Sequence, residues 1–127
     1  MAYDRAFGDW VREHFAALGP LEIKPMFGAA SVYANGLIWA LLDDGVVWLK
    51  ADDGNAPALI AAGARQFAYS AKDGRSMAMA YWSLPDRAAD DADEAVRWAR
   101  GAMQAAVRKA ARKTTPRKPK ARTDGTG

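Results

Sequence analysis

His14 is the only histidine of the chain and its only side chain with an ordinary pKa near neutrality, so a general base would have to be sought there first. It recurs at helical spacing with Phe7, Val11 and Leu18, and no nucleophile stands near it in sequence. That context makes it a packing or boundary residue. Three aspartate pairs, Asp43-Asp44, Asp52-Asp53 and Asp90-Asp91, have the right chemistry for paired-carboxylate catalysis or a hard metal ion. Each falls at an expected turn or helix start, where a carboxylate bonds nearby backbone N–H groups instead. With one histidine and no cysteine, the sequence offers no zinc ligand set. Gly28, Gly36, Gly45 and Gly74 fit no phosphate-binding loop, and Ser31, Ser70, Ser76 and Ser83 sit in no nucleophile elbow. No catalytic residue, metal or cofactor is therefore expected. The alternative is a small-ligand or enzymatic domain with a pocket between the sheet and the C-terminal helix, built on Lys50, Tyr69 and Tyr81.

A second kind of chemistry lies in the charge distribution. Residues 1–107 carry 10 Lys/Arg and 14 Asp/Glu, a net −4, whereas residues 108–127 carry 8 Lys/Arg and one acid, a net +7. A mildly acidic body thus ends in a basic segment suited to an anionic partner. Lys109, Arg112, Lys113, Arg117, Lys118, Lys120 and Arg122 are candidate nucleic-acid contacts. They would act by neutralising phosphates and releasing counterions. No aromatic residue is interleaved for base stacking, so such binding should be weak, non-specific and salt-sensitive.

The elements that must position these groups can be read from pattern. The 127 residues suit one domain at 1–112 and a basic, disordered tail at 113–127, whose two prolines and lack of large apolar groups preclude a core. The absence of cysteine and of a signal-like N-terminus suggests a cytoplasmic protein. Residues 4–18 read as a helix capped by Asp4 and stopped by Gly19-Pro20. Glu22–Phe27 reads as a strand, placed at a sheet edge by Pro25. Asn35-Gly36 and Asp44-Gly45 mark two tight hairpin turns between apolar strands. Asn55 or Asp53 caps a short helix ended by Gly63, and a looser turn at Asp73-Gly74 joins two further strands. A long helix capped by Asp90 or Asp91 follows, with a stripe of Val96, Ala99, Met103, Ala106, Val107 and Ala110. Gly101 costs it about 1 kcal/mol relative to alanine and leaves room for close packing. The order α-β-β-β-β-α-β-β-α predicts an α+β fold, with an antiparallel sheet of about six strands and the helices on one face.

The hairpin turns also assign faces. A two-residue turn at Asp44-Gly45 pairs Leu42 with Val47 and Leu41 with Trp48. Strict alternation then puts Ile38, Ala40, Leu42, Val47 and Leu49 under the helices, and Leu37, Trp39, Leu41, Val46, Trp48 and Lys50 on the other side. Trp39, Trp48 and Lys50 become a candidate partner surface, for another protein or a second copy in a homodimer. The competing reading makes the tryptophans a second core layer under the first helix.

Four stretches, "PMFGAASVYANGLIWALLDDGVVWLKAD", "FAYSAKDG", "MAYWSLPD" and "DDADEAVRWAR", occur in an order and spacing that resemble the N-terminal domain of the TfoX/Sxy family. The resemblance runs from residue 4 to about 110. It rests on Met26-Phe27-Gly28, Tyr33 with Asn35-Gly36, Leu49-Lys50 with Asp52, Phe67 with Tyr69, and Tyr81-Trp82 with Pro85. It implies an antiparallel α+β domain, no enzymatic activity, and a link to natural competence. The best-known members are transcriptional co-activators that work with the cyclic-AMP receptor protein, so a transcription regulator is the partner implied. Two departures stand out. Ala29-Ala30-Ser31 replaces the glycine-rich run common after Met-Phe-Gly, and a basic tail stands where larger members carry a second domain, so a stand-alone N-terminal domain is expected.

Overall fold

The computed structural model describes residues 4–26, 28–70 and 76–114. Helix α1 spans Arg5–His14, where the Asp4 carboxylate accepts a hydrogen bond from the Ala6 N–H at 3.0 Å. The helix ends sooner than its periodicity suggests and passes into a 3-10 turn, Ala16–Leu18, before Gly19 at φ +87°. Six strands follow in the expected order: β1 Glu22–Met26, β2 Ala29–Ala34, β3 Leu37–Asp43, β4 Val46–Lys50, β5 Gln66–Ser70 and β6 Ser76–Ser83. Helix α2, Ala56–Ala61, lies between β4 and β5, and helix α3, Ala92–Thr114, closes the chain after a 3-10 turn at Asp86–Ala89. The fold is thus the α+β arrangement that the sequence predicts, with every strand pair antiparallel. The turn expected at Asp73-Gly74, the motif residue Phe27 and the tail beyond residue 114 lie outside the described residues.

Spatial order is β1-β2-β3-β4-β6-β5. β1, with Pro25, is an edge strand, as a residue without an N–H requires. Asn35 and Gly36 have φ +53° and +79°, and Asp44 and Gly45 have +53° and +74°. Positive φ at both central residues is the type I′ signature, whose twist matches that of the strands it joins. The second turn pairs Leu42 with Val47 and Leu41 with Trp48, the expected register.

On β3 the alternation breaks. Val32 pairs with Ala40 and Tyr33 with Ile38, so Trp39 is an extra residue on β3. A bulge of one residue reverses the faces beyond it. Trp39 therefore joins Ala40 and Leu42 in the main core, fully buried and 5.3 Å from Phe15 ring to ring. Ile38 turns to the opposite face, where it packs with Leu41, Trp48 and Tyr81. Both residues lie opposite to where strict alternation put them. The reading of Trp39 as partner surface is overturned. A core layer beneath the first helix is where its indole sits.

The main core joins the inner sheet face to Val11 of α1 and Phe15 at its C-terminal end, Leu59 of α2, and Ala95, Val96, Ala99 and Ala102 of α3. Every helix contributes to this one side. The second cluster on the other side is built from strand residues. The buried seam of α3 is mostly alanine, so the helix can approach the strands closely. It is also rotated from the expected stripe: Ala102 and Ala105 face in, and Val107 is 53% exposed. Asp91 caps α3, its carboxylate accepting from the Glu94 N–H at 3.1 Å. Glu94 in turn holds Arg87, Arg97 and the Trp98 indole, which together keep its carboxyl below the usual range.

Gly101 proves unnecessary for close packing. A Cβ built there would meet only the Asn55 Cβ, at an ordinary 3.8 Å. Gly101→Ala should therefore stabilise the domain by about 0.5–1 kcal/mol through backbone entropy. Chemical denaturation reads this directly, and a destabilised variant would show that the helix needs the gap.

Candidate functional site

The chemistry that the fold assembles lies where β4 ends and the last turns of α3 pass by. Lys50 is the final residue of β4 and pairs across the sheet with Tyr81 of β6. Its Nζ lies 5.3 Å from the centre of the Tyr81 ring, and the residue is only 8% exposed. A cation over an aromatic face gains attraction from the ring quadrupole, which offsets part of the desolvation cost. Burial, with Tyr33 as a lesser cause, pushes the Tyr81 phenol up to about 12.

The chain then makes a polar corner. The Ala51 N–H bonds the Ala80 carbonyl, which continues the ladder by one step. Asn55 stands at the start of α2, yet its side chain does not cap that helix. It turns back instead. Its Oδ1 accepts from the Asp52 N–H at 2.8 Å and its Nδ2 donates to the Lys50 carbonyl at 3.0 Å. Asp52 accepts from the Gly54 N–H at 2.8 Å and from Nε and Nη2 of Arg108 at 2.6 and 2.7 Å. This two-pronged bond ties the end of β4 to α3 across 56 residues of sequence. A Cβ at Gly54 would stand 2.6 Å from the Arg108 Nη2, so a larger residue there would push the end of the arginine aside.

Two neighbouring clefts open beside this corner. One, about 620 Å³, is lined by Lys50, Asp52, Asp53, Arg108, Lys109 and Arg112 among others. The second, about 360 Å³, is lined by Tyr33, Leu37 and Ile38 together with Ala106 and Ala110. Lys50, Tyr81 and Lys109 belong to both walls. A pocket between sheet and C-terminal helix is thus present, with Lys50 and Tyr81 on it. The side chain of Tyr69 lies outside the described residues.

The other candidates are placed as follows. Trp48 is 8% exposed, packed 4.9 Å from Phe67 and covered by the Arg65 guanidinium at 5.4 Å. It forms no open patch with Trp39, which is on the opposite side of the sheet. Lys109 and Arg112 stand exposed on the last turns of α3. Lys113 lies in the last turn of α3 with its side chain outside the described residues, as are Arg117, Lys118, Lys120 and Arg122. His14 Nε2 donates to the Ala88 carbonyl at 2.7 Å while its ring stacks on Trp10, which joins α1 to the turn before α3. Among the described residues no three His, Asp or Glu side chains gather as a metal site would need. No described helix is long and apolar enough to cross a membrane. Sequence reasoning missed Tyr33 and the Asp52–Arg108 pair.

The pair has a pH signature. The Arg108 hydrogen bonds, aided by the Gly54 N–H, lower the Asp52 carboxyl to about 2 from 3.8, against the opposing effect of burial. A depressed carboxylate contributes its full stability above the unfolded pKa and loses it as pH falls towards the folded one. Asp52→Asn should therefore cost about 1 kcal/mol at neutral pH, discounted for the solvent-exposed guanidinium. The deficit should shrink between about pH 4 and pH 2 as the wild-type carboxylate protonates. Urea unfolding at several pH values checks this. A deficit of equal size at pH 2 would mean that charge is not its source.

The family model described as the TfoX N-terminal domain matches residues 13–106, about three quarters of the chain. No curated protein matches it. The matched span contains the whole sheet, both type I′ turns, Lys50, Asp52 and Tyr81. The chain belongs to the TfoX N-terminal domain family.

Proposed function

We propose that this domain is a non-catalytic regulatory module that works by contacting a protein partner, in the manner of the competence regulators of its family. The partner is an acidic surface of a transcription regulator. The observation that carries the reading is the solvent face of α3. There Met103 and Val107 line a shallow apolar groove with Arg100, Gln104 and Arg108 around it. Val107 is one of two large apolar side chains that stand well exposed among the described residues. Apolar anchors flanked by arginines suit a partner with apolar and acidic groups in alternation. Self-pairing through the tryptophans has no place in the proposal, because both rings are already covered.

The basic end of α3 and the segment after it add weak, sequence-independent affinity for nucleic acid. This contribution follows charge alone.

Two measurements test the reading. Val107→Asp alters an exposed position, so it should leave the melting temperature within a few degrees while abolishing the transcriptional response to the expressed domain. An unchanged response would remove the α3 face from the proposal. Fluorescence anisotropy with duplex DNA should show binding that falls steeply with salt and is largely lost when residues 113–127 are deleted. Binding that survives both would contradict the role given to the tail.

A further inference from the structure

The sheet ends in two edge strands, β1 and β5, of opposite character. We infer that the β5 edge is the seam of a symmetric homodimer, in which β5 pairs antiparallel with β5 of a second copy about Ala68.

An edge strand presents a row of unpaired N–H and C=O groups, and monomers usually blunt it with charge or proline. β1 is blunted in that way. It holds Pro25, and Glu22 and Lys24 form an ion pair at 3.7 Å. β5 carries neither a charge nor a proline. Among the described residues it pairs with β6 alone. The irregularity in that pairing does not shield it. Gln66 stands opposite Trp82 and Ala68 opposite Ala78, so two steps along β5 match four along β6, and the extra residues are on β6. The Gln66 side chain spans the gap by donating to the Met79 carbonyl at 3.0 Å. β5 itself is extended over its whole length, and Gln66 and Ala68 are exposed.

The residue order selects the partner. Gln66-Phe67-Ala68-Tyr69-Ser70 reads polar, aromatic, small, aromatic, polar from either end. Antiparallel pairing about Ala68 sets Phe67 of one copy opposite Tyr69 of the other, and Gln66 opposite Ser70. Cross-strand aromatic pairs are favourable, and a neutral strand meets its own copy without charge repulsion. Two-fold pairing of this kind closes on itself and stops at two copies. The neighbouring surface has the same character. From Ala56 to Ala64 no residue has a polar side chain, and Pro57, Ala58, Ile60 and Ala61 of α2 are exposed. Ile60, at 53%, is with Val107 one of the two large apolar side chains most exposed among the described residues. A helix apolar all round normally lies against further apolar surface. α2 packs on β6, the strand beside β5. Across the seam β6 and its counterpart would stand three strand spacings apart, about 14 Å. Two helices above them, each about 10 Å across, would then nearly meet on the core side. On the opposite side Phe67, half-buried beside Trp48, would gain cover from the second copy.

The test is sedimentation velocity of the full chain at physiological salt, from about 1 to about 500 µM. The wild type should pass from monomer to dimer within that range. Ala68→Lys and Ala68→Glu each set like charges against one another at the two-fold axis. Both alter an exposed position, so each should melt within a few degrees of the wild-type monomer while associating about tenfold more weakly or worse. An equal mixture of the two variants should associate again, because the charges at the axis are then opposite. A wild type that stays monomeric throughout would overturn the homodimer and leave the edge to an extended segment of another protein. A dimer that both variants retain would place the interface elsewhere, and a mixture no better than either variant alone would refute pairing about Ala68. Val107→Asp and deletion of residues 113–127 concern other surfaces, so their outcomes bear on the regulatory reading alone.

Discussion

Two pairs of left-handed residues, Asn35-Gly36 and Asp44-Gly45, determine which residues of β2, β3 and β4 stand opposite one another. Each reverses the chain in the least possible length, and each adopts a conformation that most side chains resist. With the second turn in place, Leu42 faces Val47 and Leu49 faces inward beside Ala40, and β4 can end with Lys50 on the opposite face. β6 then pairs with β4 so that Tyr81 meets Lys50. A slip of one residue at either turn would exchange the aliphatic layer with the tyrosines and the lysine. The core and the candidate site therefore depend on the same register.

The exception to that register on β3 explains why Trp39 lies on the other side of the sheet from Trp48. Placing an extra residue at Trp39 lets two successive side chains, Trp39 and Ala40, enter the main core. The large indole reaches Phe15 and fills the space beneath α1, where an all-aliphatic layer would leave a void. The bulge also turns Ile38 outward, where it helps to line the smaller cleft and packs with the Leu41–Trp48–Tyr81 cluster. Its cost is an indole N–H with no partner among the described residues, a penalty of about 1–3 kcal/mol for a buried donor. Packing at the centre of the core outweighs it.

Much of this was legible in the sequence because the signals were local. Asn-Gly and Asp-Gly between apolar runs, Asp4 and Asp91 ahead of helices, and Pro25 in a strand each carry their own physical reason. What escaped was set by contacts between distant residues. The bulge has no signature in β3, since neither Trp39 nor its neighbours is a glycine. The buried face of α3 was misjudged because alanine is apolar at every angle, so periodicity weighted Met103 and Val107, which stand at the margin. Asp52 looked like a turn residue, and so it is. That its carboxylate also holds Arg108 could be learned only once the helix had been laid beside the strand end. Lys50 and Tyr81 were singled out for their types, whereas Tyr33 drew notice only as a family motif residue.

The core and the basic end of α3 divide close to where the family match stops. It ends at residue 106, within α3, after the alanine seam has docked on the sheet. Arg108, Lys109 and Arg112 follow immediately, on the turns that overhang the end of β4. Lys50, Asp52 and Tyr81 lie inside the matched span and would border a shallow, weakly charged recess without them. Among the described side chains of residues 107–112, Ala110 is partly shielded from solvent and the others are exposed. What these turns add to the docking of α3 is the Arg108 bond to Asp52. Their basic side chains cost self-repulsion at the end of a helix, which the helix dipole and Asp52 only partly offset.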